Sequence, residues 1–299
     1  MTYTHFHNRP AFSISNDFVR VTVPVRGGHI AEIQELSTGV NPLWVPPWVG
    51  EPNPDFGNNC ETRLLEAIMG QNLCLDLFGP PSEAEEKAGV VAHGEGSIEP
   101  YTFAEIPNGM ITRCLLTQSQ LAFKRSITLE DRHVRIRETV ENLSTLDKPI
   151  GWTQHITFGP PFTEHGITEF RWPWTHSSVM NEAYTAYLIG EPAWFAAWSP
   201  VHKVAIAYQW NRSEFPWMGI WKENRGRTHT PWNGRTVTQG MEFGVSPFPE
   251  TRRAMIERGR MFDTPCYRWI GAKEKLTAEY TAAIAPSGAM PDDFSSLSR

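Results

Sequence analysis

Strict alternation of apolar and polar side chains constrains this chain more than any other feature. Val19, Val21 and Val23 alternate with Phe18, Arg20 and Thr22. Leu121, Phe123, Arg125, Ile127 and Leu129 alternate with Ala122, Lys124, Ser126 and Thr128. Leu276, Ala278, Tyr280, Ala282 and Ile284 alternate with Thr277, Glu279, Thr281 and Ala283. Successive side chains of a strand point to opposite faces, so each run reads as a strand with one buried face. The polar breaks Glu130-Asp131-Arg132 and Asn142-Leu143-Ser144 fall between such runs and predict antiparallel hairpins.

Helices have little room in this pattern. The 24 prolines discourage long ones. Ser82-Glu83-Ala84-Glu85 is a capping-box start, with space for about two turns before Gly89. Strands do not alternate with helices, which disfavours a doubly wound α/β fold. The expectation is an all-β sandwich or barrel in one domain spanning 1–299. The stretch 286–299 is polar and aperiodic and reads as a loose tail.

Charge and cysteine usage exclude several classes. The formal net charge is -6 and no dense Lys/Arg run occurs, so no nucleic-acid partner is expected. No apolar run approaches the roughly 20 residues of a membrane helix, so no membrane partner is expected. The start, Met1 to Pro10, lacks the charged and apolar regions of a signal peptide, and the expected location is the cytoplasm. Cys60, Cys74, Cys114 and Cys266 are scattered and read as buried free thiols, not as a disulfide framework or a zinc site. Nothing in the sequence sets an oligomeric state.

The 12 tryptophans must be placed somewhere. Most should pack the core, where Trp is usually found. A few can line a pocket, because an indole offers a flat apolar face and one N–H donor to a sugar ring. The run Trp194 to Trp198 reads as core. Trp217 and Trp221 flank Gly219 and read as pocket aromatics, the glycine letting the backbone approach a ligand.

Three segments can carry chemistry. His93 precedes Gly94 in Val90 to Gly96, where the chain can bend sharply. His155 lies in a strand-like run, Gly151 to Phe158, that ends in Gly159-Pro160-Pro161. Glu242 sits between Met241 and Phe243, where burying a carboxylate is costly without a partner or a purpose. Singly, His93 reads as a turn histidine, His155 as a core histidine and Glu242 as the partner of a buried arginine.

Taken in order, these segments resemble the galactose mutarotase-like superfamily, which includes the aldose 1-epimerases. The resemblance runs from Gly27-Gly28-His29-Ile30 through Asn41-Pro42-Leu43-Trp44, His93-Gly94 and Val134 to Leu143. It continues through Gln154-His155 and ends at Met241-Glu242-Phe243-Gly244. It implies a large antiparallel β-sandwich, the galactose mutarotase-like supersandwich, with a sugar site on the concave face. It further implies that His155 is the general acid on the ring oxygen and Glu242 the base on the anomeric hydroxyl. His93 would hold the sugar near that oxygen. Gln71-Asn72 falls where the family has a substrate-contacting arginine, with Arg63 a possible substitute upstream. Trp221-Lys222-Glu223 falls where it has further sugar contacts, so Gln71, Asn72, Trp221 and Glu223 are the expected binding residues.

Anomer interconversion needs a base on one proton and an acid on the ring oxygen, on opposite sides of one C–O–C unit, and requires no metal or cofactor. Three readings follow. The first is an aldose 1-epimerase acting on a small-molecule carbohydrate. The second is a sugar-binding or sensing protein that keeps the pocket without turnover. The third uses His93, His155 and Glu242 as metal ligands, a legitimate two-His, one-carboxylate set. Lys222, Arg225 and Arg227 would suit an anionic sugar but read first as solvated charge.

Overall fold

The computed structural model describes residues 1–52 and 54–297. Strands β1 (Thr2–Phe6), β2 (Arg9–Ser15), β3 (Val19–Pro24) and β4 (Glu32–Glu35) form an antiparallel meander. Helix α1 (Thr62–Ala67) leads into β5 (Gln71–Asp76), and α2 (Glu83–Lys87) lies beyond it. Strands β6 (Thr102–Ile106), β7 (Gly109–Leu116), β8 (Leu121–Glu130) and β9 (His133–Asn142) pair as successive hairpins. Next come β10 (Lys148–Phe158), β11 (Glu169–Arg171), β12 (Trp174–Asn181), β13 (Tyr184–Ile189) and β14 (Ala193–Ser199). They are followed by β15 (Val204–Trp210), β16 (Trp217–Asn224) and β17 (Val237–Gly244). Helix α3 (Arg252–Arg258), the ribbon β18 (Arg260–Met261) and β19 (Thr264–Pro265), then β20 (Arg268–Ile270) and β21 (Lys275–Pro286) complete the order.

Two antiparallel sheets face each other. One has the order β11-β14-β15-β21-β9-β8-β7-β6. The other runs β12-β13-β16-β17-β10-β20, with β5 also paired to β10. The main apolar core contains side chains of both, among them Phe123, Ile136, Val140, Ile206 and Tyr280 from the first and Trp152, Ile156, Phe158, Met241 and Phe243 from the second. This is the predicted β-sandwich. The alternation read from 121–129 holds residue by residue, with every odd position buried. Arg125 is the one charged member of that buried row, and the structure supplies its partner.

That partner is Glu138, also fully buried, which accepts from Arg125 Nε at 2.7 Å. The same carboxylate accepts from Trp152 Nε1 at 3.0 Å, Gln154 Nε2 at 2.6 Å and the Tyr280 hydroxyl at 2.9 Å. Gln71 Nε2 donates to the Tyr280 hydroxyl at 2.7 Å. A buried charge pair is tolerated when hydrogen bonds satisfy it; here the carboxylate is fully engaged, while Arg125 donates from Nε and from Nη1, the latter to Gly28 O at 2.8 Å. The cluster ties β8, β9 and β21 of one sheet to β5 and β10 of the other, and so fixes the face that β10 turns outward.

Three expectations are corrected. Glu130-Asp131-Arg132 is a hairpin turn, but Asn142-Leu143-Ser144 is not: β9 pairs with β8 and β21, whereas β10 pairs with β17, β5 and β20. The chain crosses between sheets there, and Asn142 Nδ2 anchors the crossing on the carbonyls of Leu146 at 2.8 Å and Gly271 at 3.0 Å. The tail 286–299 is not loose over its described part. Residues Phe294–Leu297 form a 3₁₀ turn, and Leu297 is buried against Trp194, Ala205 and Ala283. Apolar residues too sparse to show a period are enough to dock it. Cys74, Cys114 and Cys266 are buried free thiols as expected, while Cys60 is half-buried.

The capping box at Ser82 forms as predicted, with Glu85 N donating to Ser82 Oγ and Ser82 N to Glu85 Oε2. Among the described residues, no helix is long and apolar enough to cross a membrane.

Candidate functional site

The outward face of β10 carries Thr153, His155 and Thr157, because Trp152, Ile156 and Phe158 on the alternate face enter the core. Cross-strand register then sets the neighbours of His155. Glu242 on β17 lies directly opposite on one side and Asn72 on β5 on the other. Gly219 on β16 is the next residue beyond Glu242 in the same row. The Gly219 position is dictated by packing: a Cβ there would stand 1.8 Å from the Tyr184 hydroxyl. The glycine makes room for a phenol in the floor and does not serve close approach of a ligand, as the sequence had suggested.

His155 Nε2 and Glu242 Oε1 are 3.0 Å apart, and the Thr157 hydroxyl lies 3.0 Å from His155 Nδ1. Both side chains are nearly inaccessible. Burial, then the neighbouring His93 and Arg227, push His155 down to about 3. Burial lifts Glu242 well above the usual carboxylate range. Burial is the largest cause of both shifts, because isolated charge is costly away from solvent, and together they favour an uncharged pair with the shared proton on Glu242.

His93 arrives from the loop after α2. Its backbone has φ 64°, and Gly94 follows at φ 80° with its Cα pressed against β5, where a Cβ would stand 2.1 Å from Leu75 O. The bend read from His93-Gly94 is therefore real. The ring packs edge-on to His155 at 5.8 Å between centroids, and burial with Arg227 pushes it down to about 4. His93 Nδ1 is buried and has no hydrogen-bond partner among the described residues.

These three residues open onto one cavity of about 300 Å³. Its other walls include Trp44, Tyr184, Trp221, Arg227, Trp232 and Glu61. Trp44 and Trp232 lie parallel, 5.8 Å apart, and Trp221 meets Trp232 edge-on at 6.1 Å. The volume is at the small end for ligand pockets, and the apolar walls with a few converging polar groups are typical of them.

Of the expected contact residues, the structure brings His93, His155, Trp221 and Glu242 to the cavity and leaves three off its wall. Gln71 sits on the opposite face of β5 and belongs to the Glu138 cluster. Asn72 lies beside His155 but is fully buried, its Nδ2 3.5 Å from Ser97 Oγ and its Oδ1 unpaired. Glu223 accepts from Gly226 N at 2.6 Å and Arg227 N at 3.1 Å, so it shapes the turn that presents Arg227. Trp217 is also away from the cavity, packed on Leu188 and Cys266. Arg63 is exposed and pairs with Glu99.

Sequence reasoning passed over Arg227, Trp44 and Trp232 as wall residues. Arg227 read as solvated charge, yet its guanidinium lies 4.6 Å from the Trp232 ring and 5.3 Å from that of Trp221. Pro231-Trp232-Asn233-Gly234 carried no signal beyond a turn. Among the described residues, no three His, Cys, Asp or Glu side chains gather as a metal-ligating group, so the metal reading has no geometric support.

The fold is a large antiparallel β-sandwich with the cavity on one sheet. No family model matches the chain, and no curated protein matches it. Solved structures do. A candidate aldose 1-epimerase from Klebsiella pneumoniae superposes with TM-score 0.71 and 14% identity over 97% of this chain and 82% of that one. A galactose mutarotase-like protein from Clostridium acetobutylicum gives 0.69 and 11% over 95% and 98%. One from Lactobacillus casei gives 0.66 and 11% over 92% and 100%. At these identities the shared property is the fold.

Proposed function

We propose that this protein binds a monosaccharide and interconverts its anomers, as an aldose 1-epimerase does. The observation that carries the reading is the His155–Glu242 contact at the floor of an aromatic cavity. The anomeric hydroxyl and the ring oxygen share one carbon, so the acid and base that serve them must be side by side. Adjacent strands in register set His155 and Glu242 side by side, which supports the reading. With the shared proton moved from Glu242 to His155, Glu242 would take the hydroxyl proton while His155 gives one to the ring oxygen, opening the ring. Rotation about the C1–C2 bond turns the other face of the carbonyl to the freed hydroxyl, and reversal of both transfers closes the ring as the other anomer. The net charge of the pair is unchanged throughout, which suits a buried site. The fold resemblance supports the same assignment, and the cavity volume suits one ring.

The test is optical rotation of fresh single anomers of a panel of aldoses and aldose derivatives, with wild-type protein and His155→Ala. Acceleration over buffer that the variant loses supports the reading; no acceleration for any sugar rejects it.

The second reading, binding without turnover, is favoured by the closed 3.0 Å contact, which occupies acid and base with each other. Calorimetric binding of a sugar that is not accelerated would select it.

A further inference from the structure

The cavity contains one guanidinium that the acid–base chemistry does not use. Arg227 follows the end of β16 in the 225–236 connection. Two features fix its pose. Glu223 caps the turn beneath it and stands 3.6 Å from Arg227 Nε. The indoles of Trp221 and Trp232 pack against the guanidinium, which is weakly hydrated and stacks well on aromatic faces. Its terminal nitrogens make no hydrogen bond to the described residues, although the group is only about one-third exposed (35%). The Trp232 indole N–H beside it is likewise buried without an acceptor among those residues. A planar fork held in place with free, partly exposed donors matches a bidentate oxyanion. Its positive field reaches the reacting groups, since it depresses both His93 and His155. Glu61, at the start of α1, is the other ionic side chain on the wall outside the His155–Glu242 pair.

We propose that Arg227 receives the anionic group of the sugar, so that the ligand is an acidic monosaccharide carrying a carboxylate or a phosphate. This rests on the sugar reading of the same cavity.

The experiment compares glucose, glucuronate and glucose 6-phosphate, and the galactose counterparts, by exchange NMR of the anomers and by calorimetry. Wild type, Arg227→Gln and Arg227→Lys are used, with circular dichroism confirming that each is folded. In wild type at least one acidic sugar should exceed its neutral counterpart about tenfold or more in kcat/KM, or in affinity if no sugar is turned over. Arg227→Gln should erase that preference, with the change in KM, and Arg227→Lys should retain part of it. The carboxylate and phosphate arms identify which anion is preferred. Equal or better handling of the neutral sugars by wild type, or a preference that survives in Arg227→Gln, overturns the proposal. Anomer exchange of neutral sugars alone would leave the epimerase reading standing and remove this one. An acidic preference in calorimetry without exchange would do the reverse.

Discussion

His155 and Glu242 are direct cross-strand neighbours on β10 and β17, with Nε2 and Oε1 3.0 Å apart and both side chains nearly inaccessible. Removing the carboxylate while keeping its shape should therefore separate stability from function. Glu242→Gln deletes the base but spares the protein a costly buried carboxyl. Anomer interconversion should fall by about 10²–10⁴-fold. The melting temperature should hold or rise, as is common where an active site stores unfavourable burial. Polarimetry and a thermal melt on the same sample check both halves. A variant as active as wild type would contradict the role given to Glu242.

Arg125 and Glu138 form a fully buried pair whose carboxylate serves four donors. Glu138→Gln would strand the guanidinium without a counter-charge, at a cost of about 3–5 kcal/mol. Replacing both by apolar residues, as in the double variant Arg125→Met, Glu138→Leu, should recover much of that loss. Urea denaturation midpoints of the two variants make the comparison. A double variant no more stable than Glu138→Gln would show that the other donors, not the charge pair, dominate.

Gly219→Ala places a methyl group where the Tyr184 ring now lies. Overpacking of this kind costs about 1–3 kcal/mol. Because Tyr184 is part of the cavity wall, sugar affinity should drop in the same variant. Denaturant titration and calorimetry read the two effects, and an unperturbed midpoint would mean that the phenol moves freely.

His29, His93 and His155 are all buried, and burial pushes them to about 3, 4 and 3 from the ordinary 6.5. Between those values the unfolded chain binds more protons than the native one, so stability rises with pH there and falls on acidification. Glu242, raised by burial, acts in the opposite direction above 4.5, where the native state holds the extra proton. Three histidines outweigh one carboxyl, so unfolding free energy should decline as pH drops from about 6.5 toward 4. His29 lies apart from the cavity, which makes it the clean probe. His29→Gln should flatten the slope by at most about 1.4 kcal/mol per pH unit. Denaturation curves at closely spaced pH values between 4 and 7 measure it, and an unchanged slope would argue that His29 titrates normally.

The sequence by itself determined the architecture and pointed to His155 and Glu242 as the candidate pair. Period-two alternation at 19–23, 121–129 and 276–284 leaves few choices but half-buried strands, because a strand shows its faces in turn. Glu242 between Met241 and Phe243 declared itself by the cost of placing a charge there. His93-Gly94 declared its bend through the glycine. Their order along the chain, through the resemblance it supports, set these three together.

Only the tertiary structure decided which face each polar strand residue takes and what the loops contribute. Gln71 and Asn72 are adjacent and equally polar, yet one joins the Glu138 cluster and the other lies under the site, a one-residue matter of register. Glu138 had no reason, read locally, to be the hub between two sheets, since its donors come from strands far away in sequence. Arg227 and Trp232 sit in a connection with no period, where a charge and an indole look like ordinary surface. Their place over the cavity follows from the turn that Glu223 caps and from ring packing between segments, and neither leaves a trace in local sequence. Strand faces are set by local covalent geometry and are legible; loop placement and sheet-to-sheet register are set by long-range packing and are not.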